Sequence, residues 1–142
     1  MLDSSHFHPM LVHFPIALTM VGMMLEVVRF FFCKSQSKLP TGELILYFAA
    51  VSAVFALLSG FLFTGTFSGK PLELRNTHQL LAILATVALS LTSLFYLLAR
   101  FGKQNPKTFQ LAGLIFYILS ALLTGATGYM GGNLVYTYMI GL

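Results

Sequence analysis

The sequence predicts an all-α integral membrane protein: an up-down bundle of four transmembrane helices with a short C-terminal periplasmic flap. Composition is the first reason. Of 142 residues, 57% are hydrophobic and only 8% charged, with a mean hydropathy of +0.84. A soluble domain carries about 25% charged residues, so this chain has too little polar surface to face water all round. Segmentation is the second reason. Four apolar stretches, near 10–32, 44–64, 77–99 and 109–130, each approach the roughly 20 residues that cross about 30 Å of hydrocarbon as a helix. With short connections between them there is no room for a separate soluble domain, and residues 1–142 read as one membrane domain. Charge placement is the third. Arg29, Lys34 and Lys38 follow the first span, and Arg100, Lys103 and Lys107 follow the third. Lys70 and Arg75 alone sit in the middle loop, and neither terminus has a Lys or Arg. Cytoplasmic loops collect Lys and Arg, so both termini are expected on the outside of a bacterial inner membrane. The net charge of +4 is then topology, and no nucleic-acid partner is expected.

Each element has its own signals. Pro9 suits the first turn of helix 1, where its missing N–H is harmless. Pro15 lies inside that helix and cannot donate back to the Leu11 carbonyl, which loosens the helix beside His13. Thr41, with Glu43 behind it, caps helix 2. Asn76, with Gln79 three residues on, caps helix 3. Asn105-Pro106 supplies the cap and first-turn proline of helix 4, and Gly131-Gly132 ends it. Beyond that point Leu134, Tyr136, Tyr138 and Ile140 alternate, so 131–142 is expected to be an extended or interfacial flap. Small residues mark packing faces: Ala49, Ala53, Ala56 and Gly60 on helix 2, and Thr124, Gly128 and Gly132 on helix 4. Met20, Met23 and Met24 read as gap-fillers. Glu26, with Arg29 three residues on, is expected to snorkel as an ion pair. Cys33 is the single cysteine and forms no internal disulfide. No cleavable leader is evident. No polar path is expected across the bundle, which argues against transport.

The histidines are the chemical clue. All four fall at one end of the spans: His6, His8 and His13 where the first begins, His78 where the third begins. An ionisable side chain at the mouth of a membrane helix is a functional-site hypothesis by default. Helices 1 and 3 run parallel. His13 is followed by Ala17 and Pro40, and His78 by Ala82 and Pro106. This faint repeat implies a duplicated hairpin with a twofold axis along the membrane normal.

The string HPMLVHFPIAL (8–18) and the string GYMGGNLVY (128–136) together resemble a bacterial membrane family known as domain-of-unknown-function family 2231. The resemblance spans the whole chain and implies a four-helix membrane fold, without assigning an activity. By that likeness His8, His13, His78, Gly131 and Gly132 are signature positions. The tail departs from the family pattern. An acidic residue after Gly-Gly and a later histidine-glycine are replaced here by Asn133, Tyr138 and Met139.

Two cofactor chemistries and one cofactor-free role follow from these residues. With neighbouring helix axes about 8–10 Å apart, the diagonal helices 1 and 3 stand on the order of 12–14 Å apart. His13 and His78 can then ligate a haem b iron from opposite sides, with Ala17 and Ala82 leaving room for the ring. Such a protein would transfer electrons, exchanging them with quinol or a periplasmic redox carrier. Alternatively His6, His8, Met10, His13 and His78 supply imidazole and thioether ligands for copper, or imidazole alone for zinc. Without a cofactor the histidines are structural, in a scaffold subunit of a larger membrane complex or a homodimer. No catalytic triad, phosphate loop or paired intramembrane carboxylates are expected, so the sequence does not point to an enzyme.

Overall fold

The computed structural model describes residues 7–32, 41–63, 68–103 and 105–138. They form four helices: α1 (Phe7–Phe32), α2 (Thr41–Phe63), α3 (Lys70–Phe101) and α4 (Pro106–Tyr138). All four are long and apolar enough to cross a membrane. Large apolar side chains such as Phe14, Phe48, Phe55, Leu62 and Leu122 cover the outside. Water would reject such a wall and lipid accepts it. The tightest pairs are α1 with α2 and α3 with α4, while α1–α4 and α2–α3 contacts close the ring. The result is the up-down bundle that the sequence predicts.

Two boundaries differ from expectation, each for a local reason. Helix α3 starts at Lys70, one and a half to two turns before Asn76. Gly69 takes a left-handed φ of 68°, and its carbonyl accepts from the amides of Leu72 and Glu73. Pro71 fits that first turn because it has no amide to satisfy. Helix α4 does not stop at Gly131-Gly132 but runs on to Tyr138. Both glycines keep helical geometry, and Leu134 is buried, so 131–138 is helix rather than flap. Residues 139–142 lie outside the described residues, as do His6, Cys33 and Pro40. At the start of α4 the Lys107 amide donates to Asn105 Oδ1 at 3.0 Å, the cap that the sequence implies.

The two hairpins repeat each other residue by residue. Pro15, Thr19, Gly22 and Glu26 are buried on α1. Their counterparts seventy positions on, Ala85, Leu89, Thr92 and Tyr96, are buried on α3. On the second helices the shift is seventy-one. Gly42, Glu43, Leu46, Ala49 and Ala53 are buried on α2, and Gly113, Leu114, Tyr117, Ser120 and Thr124 on α4. The repeat therefore pairs His8 with His78, not His13 with His78 as the alanine and proline spacings imply.

Small residues let the helices meet closely. A Cβ at Gly113 would stand 2.9 Å from the Tyr96 ring, and one at Gly42 would stand 2.9 Å from the Glu26 amide. These two contacts are equivalent in the repeat. Between α1 and α4, Gly128 faces Ile16 Cδ1 and Gly125 faces Met20 Cε. The expected packing stripe of α2 also holds, with Ala49, Ala53 and Ala56 all buried.

A candidate histidine site at one end of the bundle

His8 stands on the buried line of α1, seven residues before Pro15, and His78 stands seven before Ala85 on α3. Seven residues are two helical turns, so each histidine shares the inward face of its helix. Their rings meet with centroids 6.4 Å apart and planes at 80°. Each ring also lies against a glycine of its hairpin partner. A Cβ at Gly60 would stand 3.1 Å from His8 Cε1, and one at Gly131 would stand 3.1 Å from His78 Cε1. Gly131 thus serves close approach of a ring rather than a turn.

Hydrogen bonds fix which nitrogen carries the proton. The Thr127 carbonyl can only accept, so His78 donates from Nδ1 across 3.0 Å. The single Ser59 hydroxyl hydrogen goes to the Ala56 carbonyl at 2.7 Å. Its oxygen is left to accept from His8 Nδ1 at 2.8 Å. With Nδ1–H engaged, the lone pair of each neutral ring sits on Nε2, the nitrogen then able to bind a metal. A histidine ligand held this way by its other nitrogen is the usual arrangement at metal centres.

The other expected site residues fall elsewhere. His13 is five residues, or about 140° of helical rotation, from His8. It is exposed, with Nδ1 donating to the Pro9 carbonyl at 2.7 Å. Ala17, about 180° from His8, is also exposed, and Ala82 is half-buried. Met10 is 59% exposed on the outer face. The His13–Ala17 face therefore points out of the bundle, and the pair brought together inside it is His8 and His78. His78 lies in the third turn of α3, after the polar residues that open the helix and where its apolar span begins. Among the described residues no three of His, Cys, Asp and Glu gather as a metal group.

A family pattern described as "Predicted membrane protein (DUF2231)" matches residues 5–142. The chain belongs to this family. His8, His78, Gly60 and Gly131, the four residues of the ring-on-glycine contacts, all lie within the matched region. Comparison with curated proteins and with solved structures finds no match.

The opposite end holds a second polar cluster, of which the sequence offered the Glu26–Arg29 pair but not its burial or the Glu43–Arg100 pair. Glu26 is fully buried rather than snorkelling, and Arg29 Nε donates to both its oxygens at 3.0 Å. Glu43, also buried, takes Arg100 Nε at 3.1 Å and Nη2 at 2.8 Å, and the Tyr47 hydroxyl at 2.7 Å. Two buried carboxylates with two guanidiniums make a charge-balanced knot joining α1, α2 and α3. The signal was available: Glu26 falls on the heptad-like line of His8, Pro15, Thr19 and Gly22.

Proposed function

We propose that the protein is a b-type haem-binding electron carrier of the bacterial inner membrane, in which His8 and His78, at its periplasmic end, would hold the haem. The observation that carries this reading is the pair of adjoining imidazoles, set edge-on at 80°, with both Nδ1 atoms engaged. Two metal–nitrogen bonds of about 2 Å each, plus the half-widths of two imidazoles, give a centroid separation on the order of 6 Å. The observed centroid separation of 6.4 Å is of that order, and would suit one iron with both Nε2 atoms turned toward it. Donor count favours haem over a bare zinc ion. A porphyrin supplies four nitrogens and asks two ligands of the protein, whereas a structural zinc asks four.

The bound group would supply one-electron chemistry. The chain's own residues do the rest. Ser59 and Thr127 hold the Nδ1 protons and aim the rings, while Gly60 and Gly131 make room for them. The positive-inside charge pattern supports an outward-facing site, with quinol or a periplasmic carrier as the partner in exchange.

An absorption spectrum of the detergent-purified protein, from cells supplied with haem precursor, tests the proposal. A Soret band with a sharp α band on dithionite reduction is expected. His8→Ala and His78→Ala should each lose it, and His13→Ala should keep it. A wild-type protein that takes up no haem overturns the reading, as does loss of the bands in His13→Ala.

A further inference from the structure

The two ion pairs at the Glu26 end exceed what packing needs. In the repeat, Tyr96 stands where Glu26 stands and Leu114 where Glu43 stands, and both are buried. A ring and an aliphatic side chain therefore fill those places, whereas a buried carboxylate is costly and a buried ion pair seldom gains on apolar packing. What the carboxylates do achieve is to fix two guanidiniums. Arg29 grips Glu26 and Arg100 grips Glu43 in the same way, each through Nε and Nη2. That side-on fork leaves the end-on edge of each guanidinium, Nη1 and the outer side of Nη2, turned away from its carboxylate.

The two pairs are neighbours. A Cβ at Gly42 would stand 3.0 Å from Glu26 Oε2, and the next residue, Glu43, carries Arg100. The two guanidiniums lie within electrostatic reach of each other. Their carboxylates are buried, while the side chain of Arg29 is 20% exposed and that of Arg100 26%. Each pair thus has its anion inside and its cation outside. Both arginines stand in the last turn of their helices, and the residues that end those helices, Phe32 and Phe101, are exposed. A guanidinium at a helix end beside an exposed phenyl ring belongs at the boundary of acyl chain and headgroup.

This end is also cationic as a whole. Lys103 and Lys107 are exposed here. With Lys34 and Lys38 between α1 and α2 in the sequence, six basic residues meet two acidic ones, so this end holds the chain's whole net charge of +4. At the histidine end Lys70 and Arg75 are balanced by Asp3 and Glu73. Two like charges held side by side favour an anion against both. A phosphodiester suits them, because a guanidinium donates to phosphate through two parallel N–H groups. Basic sites between helices at the membrane surface take anionic headgroups in this way.

We propose that Arg29 and Arg100 form a binding site for the phosphodiester of an anionic phospholipid such as phosphatidylglycerol. Its acyl chains lie along Phe32 and Phe101, and Lys103 and Lys107 add attraction. The site stands at the opposite end from the histidines and does not depend on a haem there.

The test is native mass spectrometry of the full chain in a neutral detergent, with phosphatidylglycerol and phosphatidylethanolamine added in equal amounts. Wild type is expected to retain phosphatidylglycerol about tenfold more than phosphatidylethanolamine, the order that two basic residues at headgroup level contribute. Glu26→Gln combined with Arg29→Gln strands no charge and keeps the net charge, so it separates this site from general attraction. It is expected to lower the preference about fivefold. Lys70→Gln combined with Arg75→Gln, at the other end, is expected to leave it unchanged. Circular dichroism confirms helix content first; if the first variant does not fold, Arg29→Lys, which keeps the ion pair but not the fork, decides in its place. Equal retention of the two lipids, an unchanged preference in the Arg29 variant, or an equal fall in the Lys70–Arg75 variant overturns the proposal. So does displacement of the lipid by inorganic phosphate, which would make the ligand a free anion.

Discussion

Ser59 is a small side chain with a large consequence, because its one hydrogen is committed to Ala56. That commitment makes its oxygen an acceptor and sets the proton of His8 on Nδ1. Ser59→Ala is expected to leave the fold intact and to weaken haem retention 10–100-fold, the usual cost of removing a partner that orients a ligand. Competition with apomyoglobin measures it. Gly131→Leu is expected to do more. Even a Cβ there would stand 3.1 Å from His78, and the remaining carbons would displace the ring, so bound haem should fall below detection while helix content is unchanged. At this scale the site was half legible. His78 and the end of the bundle where it sits follow from the sequence, but the partner does not. His8 and His13 both open the first span, and only the direction of the buried face decides between them. Pro15, Thr19, Gly22 and Glu26 set that direction, and none of them is a large apolar residue that would mark a core.

Among the elements, α2 and α3 are joined at one end by the bidentate Arg100–Glu43 pair. Arg100→Gln leaves a buried carboxylate without its counterion, and a loss of about 3–5 kcal/mol in unfolding free energy is expected. Glu43→Gln combined with Arg100→Gln should cost less than the single arginine change, since no charge is then stranded. Denaturation in mixed detergent micelles measures both. Helix number and order were legible because hydrocarbon thickness fixes the length of a span. The ends were less so. Asn76 has the composition of a cap, yet Gly69 with its positive φ and Pro71 start α3 earlier. Gly131-Gly132 has the composition of a stop, yet a glycine pressed against an imidazole remains helical. A glycine needed for space and a glycine needed for a turn are the same letter.

Across the whole molecule, one hairpin design appears twice and the copies have diverged at defined points. Glycines are kept where rings or helices must approach: Gly42 and Gly113, Gly60 and Gly131. Charge and hydroxyls are not kept, since Glu26 matches Tyr96 and Glu43 matches Leu114. The repeat places His8 and His78 at equivalent positions, one from each hairpin, so neither hairpin alone completes the site. The basic residues predict that this site faces the periplasm. A C-terminal alkaline phosphatase fusion is therefore expected to be active and a cytoplasm-dependent fluorescent fusion dark; the reverse would move the histidines to the cytoplasmic side. The central claim, a haem iron held by His8 and His78, is tested most directly by electron paramagnetic resonance of the oxidised, haem-loaded protein. Imidazole planes at 80° are near perpendicular. Two imidazoles that bound iron at that angle would give a low-spin ferric signal of strong anisotropy, with its largest g value above that of parallel rings. That signal, absent from His8→Ala and His78→Ala and present in His13→Ala, is the predicted result. A high-spin iron signal, a copper signal, or a low-spin signal that survives loss of His8 would contradict it.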